Sequence, residues 1–465
     1  MDSAILDNKN IILHLGLGSF HRAHQAVYLQ KLIDLGHNDW TLAGGNLRND
    51  MLDVISTLQA QNGHYTLETV SPEGERFYQT IRAIAYVADF DEQLSGLVAL
   101  GAKSQTKIIS FTVTEAGYYL TDKDILDLSF TDLANDLTRV RNGLVGHSIY
   151  GALVSILKAR IANHSGQVTL LNCDNLRHNG NRFRSGLLQF VDLLDDAPLK
   201  KWIIENTTCP NNMVDRITPR PTPAVRASVL NATGIDDPAA LMGEAFIQWV
   251  IEDNFIATRP KWELAGVEMV ESVTAFEEAK IRILNASHSC IAWAGTLRGY
   301  QYIHEGALDP HIAKLAFDYV TQDVIPCLTP SPLDLAAYRD VVLHRFCNAA
   351  ICDTNQRVAM DGFSKIPGYI APTIRDCIEK NRPFSHVAIL PALFLAFLQR
   401  WHHGQVPYAY QDQAMDEASA HAICGASDVV AAFCADTTLW GALAGNALLT
   451  SNVRAAYEQV QLFSH

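Results

Sequence analysis

Residues 11–15, IILHL, form a short and almost wholly apolar run that ends at Gly16 and Gly18. A strand buried on both faces reads this way, because neither face has to meet water. From about Phe20 the spacing becomes helical, with Ala23, Val27, Tyr28 and Leu32 along one side, and Gly36 stops it. WTLAGGNL (40–47), TKIISFTVTEAGYY (106–119) and GQVTLLNCDN (166–175) read as further strands with helical stretches between them. Strand and helix in alternation predict a parallel sheet with right-handed crossovers.

After about residue 270 the pattern changes. TAFEEAKIRILNASHSCIAWAGTLRGYQYI, PHIAKLAFDYVTQDVIP, LDLAAYRDVVLHRF and FSHVAILPALFLAFLQRWHHG all carry apolar residues at helical spacing. The expected fold class is therefore α/β: a Rossmann-type parallel-sheet domain over 1–270 with insertions, then a mostly α-helical domain over 271–465. The proline-rich stretch 218–225 is a candidate ordered loop or a flexible insert. A chain of 465 residues is long enough for two or three such cores.

Composition narrows the function. Hydrophobic residues at 48% and charged ones at 18% describe a globular chain. A formal charge of −14 and the lack of a dense Lys/Arg run argue against a nucleic-acid partner. The nine cysteines are scattered without a CxxC pair, as in reduced intracellular proteins. The start MDSAILDNKN does not look like a secretion signal. The longest apolar stretch, 387–398, is shorter than the ~20 residues of a membrane span and holds a proline. A cytoplasmic, non-membrane protein is expected, and nothing in the pattern demands an oligomer.

Two places carry candidate chemistry. Gly16-Leu17-Gly18 between a strand and a helix starts a dinucleotide fingerprint: one glycine for the turn, one for close approach of a pyrophosphate to backbone N–H groups. His21 stands at the third glycine position, so the fingerprint is incomplete and an ordinary strand–helix turn is the competing explanation. No acid ends the second strand at Asn46; Asp50 is the nearest candidate for the ribose hydroxyls and would favour NAD over NADP, whereas Arg48 would suit the extra phosphate. Phe20 and Thr114 are further candidate cofactor contacts.

The second place is KIRILNASHS, 280–289. At ~100° per residue, Glu277, Lys280, Asn285 and His288 fall within an arc of roughly 140° on an otherwise apolar helix. Buried without partners, each would cost ~1–3 kcal/mol. Either an interface network or a polar ligand must satisfy them. A desolvated lysine can act as general base, an asparagine amide can donate to an oxygen gaining charge, and a histidine can orient a hydroxyl. With a nicotinamide this is a hydride-transfer site for a secondary alcohol. Metal catalysis is not expected, since His21/His24 and His402/His403 have no complementary cysteine pair.

The motifs GLGSFHRAHQAVYL, FTVTEAGYY, LNCDNLRHNG, MVDRITP, FIQWVIEDNF, KIRILNASHS and DGFSKIP resemble those of the polyol-specific long-chain dehydrogenases, the mannitol dehydrogenase family, over most of the chain and in the family's order. The resemblance implies a two-domain NAD-dependent enzyme without metal that converts a polyol's secondary alcohol to a ketose. It implies Lys280 as base, Asn175 and Asn285 as the pair stabilising the alkoxide, His288 on a substrate hydroxyl and Glu277 on the proton's way out. It also implies Asp215, Arg357 and Lys365 as substrate contacts, and the monomeric state common in the family. Local pairing with Arg216 or Arg220 is an equal alternative for Asp215; surface charge is the alternative for Arg357 and Lys365. Met360 stands where mannitol-specific members carry histidine, which suits a shorter, five-carbon polyol; D-arabinitol, oxidised to D-xylulose, is the substrate that the resemblance implies. Mannitol oxidation at C2 and reduction of a hexuronate such as fructuronate are the alternatives within the family. A silent nucleotide-binding protein and a methyltransferase are those outside it.

Overall fold

The computed structural model describes residue 6 and residues 8–49, 51–121 and 123–463. The chain divides into two compact units. The first runs through Thr69 and resumes over Arg76–Thr274; the second takes Val70–Glu75 and the chain from Ala275 onward.

The first unit is built on a six-stranded sheet. Its strands lie in the order Ile84–Val87, Trp40–Gly45, Asn10–Leu15, Thr106–Phe111, Val168–Asn172, Thr207–Thr208, and every neighbouring pair is parallel. The first strand in sequence sits near the middle and the order reverses around it. This is the doubly wound arrangement in which ligands bind beyond the carboxyl ends of the strands. Trp40–Gly45 and Val168–Asn172 are buried at every position, which explains why they read as continuous rather than alternating apolar runs. Two three-stranded sheets complete the unit. One holds Leu241–Glu244, Tyr65–Val70 and Arg76–Ile81; the other holds Glu268–Val270, Gln248–Glu252 and Asn212–Asp215.

Two local expectations change. The helix expected from Phe20 is two helices, Ser19–Ala23 and Gln25–Asp34, broken at His24 (φ −124°, ψ −83°). The His24 ring is pinned there: Nε2 donates to the Gln248 carbonyl at 2.9 Å, and Nδ1 accepts from Gln25 Nε2 at 3.0 Å. The proline-rich stretch is not all loop. Pro223 opens a helix, Pro223–Thr233, where its missing N–H costs nothing, and Gly234 closes it at φ +75°.

The second unit is helical around two nearly all-buried helices, Ala286–Leu297 and Ile389–His402, which pack on each other. Trp293 of one lies 4.9 Å from Phe394 of the other, ring centre to ring centre. Gly362 lets a chain segment press on that core, since a Cβ there would fall 2.1 Å from the Phe394 ring. The tip of the hairpin between Tyr65–Val70 and Arg76–Ile81 belongs to this unit: Asn348 Nδ2 donates to the Val70 carbonyl at 3.0 Å, and His344 Nε2 lies 3.0 Å from Glu73 Oε1. No helix among the described residues is long and apolar enough to cross a membrane.

Candidate active site

In the first unit the candidate site is the turn at the end of strand Asn10–Leu15. Gly16 adopts φ +103°, a region closed to residues with a Cβ. Its N–H donates to the Gly45 carbonyl (2.8 Å), and Leu17 N–H donates to Asn46 Oδ1 (2.9 Å). Asn46 therefore holds the turn itself, which accounts for an amide where a ribose-binding acid was expected. Gly18 caps the short helix at φ −70°, ψ 175°, and a Cβ built on it would meet nothing within 4 Å. That opening lies over a helix start, whose first N–H groups have no intrahelical acceptors. The turn thus fits a dinucleotide pyrophosphate. His21, at the third fingerprint position, is buried and stacks on His14 with ring centres 3.5 Å apart. Burial pushes His14 down to about 3 and His21 well below its ordinary range, so both rings are neutral.

Thr114 lies in the loop after the strand Thr106–Phe111, exposed, with φ +61°. Its N–H and that of Val113 both donate to Asp174, at 2.8 and 3.0 Å, and the Tyr118 hydroxyl donates to the same carboxylate at 2.8 Å. Asp174 thus clamps a strained loop at the carboxyl edge of the sheet, where such strain accompanies ligand contact. Phe20 is half-buried and stacked on His24. Asn175 is exposed next to Asp174, and Asp215 is buried at the end of its strand. Arg216 donates to the carbonyls of Glu244 and Ala23. Arg48 reaches the Tyr119 hydroxyl at 3.2 Å. Asp50 lies outside the described residues.

In the second unit, Lys280–Asn285 is a π-helix set between the α-helices Thr274–Ala279 and Ala286–Leu297. The helical-wheel arithmetic for an α-helix is therefore wrong over these six residues. An α-helix would turn Asn285 about 140° away from Lys280; the wider i→i+5 turn brings the two much closer to one face. Single π-turns of this kind occur frequently at functional sites. This one is braced on both sides. The Tyr319 hydroxyl, fully buried, lies 3.3 Å from the carbonyls of Arg282 and Ile283 and 2.7 Å from Ser287 Oγ, substituting for bonds that the widened turn loosens. Arg282 bonds Glu278 at 2.7 Å and Asp376 at 2.5 Å. Lys280 is 5% exposed and Glu277 4%, while Asn285 and His288 are half-buried.

His288 opens onto a second cluster. Its ring stacks on Phe346 at 4.6 Å, and Nε2, sealed from solvent, stands 3.1 Å from Asp353 Oδ2, off the direction of a good hydrogen bond. Asp353 takes both Nε and Nη2 of Arg357, at 2.6 and 2.5 Å. These donors and His288 hold its carboxyl well below the usual range against the opposing effect of burial. Burial lowers the His288 pKa, with Asp353 opposing and Arg357 and Lys365 adding to the fall. Lys365 donates to the Val358 carbonyl and is pushed down to about 8 by burial. It directly precedes another π-helix, Ile366–Ile370. The structure thus brings His288, Arg357 and Lys365 into one neighbourhood of this unit. Asp353, Tyr319 and Asp174 escaped the sequence reading. Only Asp353 left a legible signal, an acid four residues before Arg357. Among the described residues no three His, Cys, Asp or Glu side chains are grouped to hold a metal ion.

Residues 10–264 match the Rossmann domain of mannitol dehydrogenases, and residues 272–461 match the mannitol dehydrogenase C-terminal domain. The chain belongs to the mannitol dehydrogenase family. Within this family it is 55% identical to D-arabinitol 4-dehydrogenase of Ralstonia nicotianae, over 99% of this chain and 98% of that one. It is 53% identical to D-arabinitol 4-dehydrogenase of Klebsiella pneumoniae, over 97% and 99%. Among solved structures of the family, Pseudomonas fluorescens mannitol 2-dehydrogenase in ternary complex with NAD and D-mannitol matches with a TM-score of 0.82 at 31% identity, covering 98% of this chain and 93% of that one. A substrate-free D-sorbitol dehydrogenase matches with a TM-score of 0.87 at 32% identity, over 98% and 94%.

Proposed function

We propose that this chain is an NAD-dependent polyol dehydrogenase that oxidises D-arabinitol at C4 to D-xylulose. The observation that carries this reading is identity above one half, over essentially full length, to two D-arabinitol 4-dehydrogenases. The ternary complex of the mannitol 2-dehydrogenase with NAD supports the cofactor, and the glycine turn of this chain has the opening that a pyrophosphate needs.

With its pyrophosphate held at that turn, NAD would supply a hydride acceptor. The chain's own groups then manage charge and protons. Gly16 and Gly18 admit the pyrophosphate to backbone N–H groups. Lys280 takes the hydroxyl proton; its burial supports this role by keeping the amine out of bulk water, where it would be no more than a surface charge. Asn285, on the same π-helix as Lys280, donates to the oxygen as it becomes an alkoxide, and Asn175 is a second such donor in this reading. His288 holds a substrate hydroxyl, and Glu277, three residues before Lys280, passes the proton outward. Asp215, Arg357 and Lys365 contact the remaining hydroxyls. No step needs a metal. Asp50, Phe20 and Thr114 complete the cofactor site in this reading.

Incubation with NAD and a panel of polyols, followed at the NADH absorbance, tests the proposal. NADH formation with D-arabinitol and little with D-mannitol is expected. Turnover of D-mannitol in preference to D-arabinitol overturns the substrate assignment, and no turnover of any polyol overturns the enzyme reading.

A further inference from the structure

Asp353 stands at the centre of the second cluster and has no part in the proposed chemistry. Its carboxylate is 9% exposed. Oδ1 accepts from Arg357 Nε and Oδ2 from Arg357 Nη2, a bidentate pairing along one edge of the guanidinium. The same Oδ2 faces His288 Nε2 at 3.1 Å. Thr354 Oγ1 accepts the Arg357 N–H, and the Ile303 N–H donates to the Asp353 carbonyl, so the backbone that carries this carboxylate is itself held in place.

Two consequences follow from electrostatics. Among the described residues Arg357 and Lys365 are the cations that act on His288; Arg357 is 63% exposed, whereas the Lys365 ammonium is buried and donates to the Val358 carbonyl. Left alone, an exposed guanidinium in a sugar site is an anchor for a carboxylate. Paired edge to edge with Asp353, it carries no net charge to the substrate, while its outer N–H groups still donate to hydroxyls. Meanwhile the carboxylate stands 3.1 Å from one nitrogen of His288 without a good hydrogen bond to it, and acts on the ring as a nearby charge.

We propose that Asp353 is a specificity-determining residue: by neutralising Arg357 it makes this site take an uncharged polyol and refuse a polyhydroxy carboxylate of the same length. The inference rests on the polyol reading above and deepens it. It also gives a physical reason why Arg357, a cation suited to a uronate, does not make this chain a uronate enzyme.

The test uses the full-length enzyme and Asp353→Asn, which keeps the shape and removes the charge. D-Arabinonate, the five-carbon polyhydroxy carboxylate, is assayed as a competitive inhibitor of D-arabinitol oxidation. Asp353→Asn is expected to bind it about tenfold more tightly than the wild type, the scale of one new charge-assisted contact. Adding Arg357→Met to that variant is expected to abolish the gain. An inhibition constant unchanged by Asp353→Asn overturns the proposal, because a merely structural aspartate would lower activity without creating an anion site. If the variant does not fold, Arg357→Met alone decides. The groups acting on His288 are Asp353, which favours its proton, and Arg357 and Lys365, which oppose it. Without Arg357 the acid limb of the activity profile is expected to move to higher pH, and an unmoved limb overturns the proposal. Failure of the polyol reading looks different: the wild type then oxidises no polyol. Protection of the two proteins by D-arabinonate against thermal unfolding still compares their anion affinity in that case.

Discussion

The same substitution made two residues apart separates folding from cofactor binding at the glycine turn. At Gly16 the backbone sits at φ +103°, and a Cβ would lie 3.5 Å from the Thr112 carbonyl oxygen, an ordinary contact. Crowding therefore contributes little and strain decides. A residue with a Cβ held at such a φ costs about 1–3 kcal/mol. The reduced freedom of the unfolded chain returns about 0.4–1 kcal/mol. Gly16→Ala is thus expected to lose about 1–2 kcal/mol, a fall in Tm of a few degrees for a unit of this size. At Gly18 the balance inverts. Its φ of −70° suits alanine, and the Cβ meets nothing within 4 Å, so Gly18→Ala keeps or slightly raises the Tm. The new methyl group instead stands in the space that the pyrophosphate would fill, and crowding of about 1–3 kcal/mol weakens NAD binding by about 5- to 150-fold. Thermal melts without cofactor and titration with NADH measure both quantities. A Gly18→Ala protein that binds NADH as the wild type does would refute the placement of the pyrophosphate. A Gly16→Ala protein with an undiminished Tm would refute the strain argument.

Two further outcomes follow from the second unit. Lys365, pushed down to about 8, is charged below that pH and neutral above it. If its ammonium donates to the substrate, the KM for the polyol rises as pH passes about 8, and Lys365→Met, which has no proton to lose, removes that rise from the pH profile. A rise that survives in Lys365→Met assigns it to another group. Gly362→Ala would place a Cβ 2.1 Å from the buried Phe394 ring, which cannot retreat within a packed core. A loss of about 1–3 kcal/mol is expected, read as a lower denaturant midpoint for the helical unit, and an unchanged midpoint contradicts the packing described.

What was legible in the chain, and what was not, follows from the range of the forces involved. Strands buried on both faces announce themselves as apolar runs, and Trp40–Gly45 and Val168–Asn172 were found that way. The glycine turn was legible because only glycine suits φ +103°. The sequence does not reveal a change of helical pitch: KIRILN has ordinary α-helical periodicity, and its π-turn is stabilised by Tyr319 and Asp376, residues 34 and more positions away. The partnership of Asp353 with His288 spans 65 positions and has no periodic trace, although its spacing from Arg357 does. Likewise only its contacts assign the hairpin tip, Val70–Glu75, to the helical unit. Local conformational preference is written in the chain, whereas the long-range partners that select a rare conformation are not.

In the proposed reaction the amine of Lys280 is the base that takes the alcohol proton. The most direct measurement of that role is the single-turnover rate of D-arabinitol oxidation in Lys280→Ala with saturating NAD, alongside NADH affinity. Loss of a positioned base is worth about 10²–10⁴-fold, so a fall of that size with NADH affinity unchanged is the predicted result. A rate close to that of the wild type would contradict it.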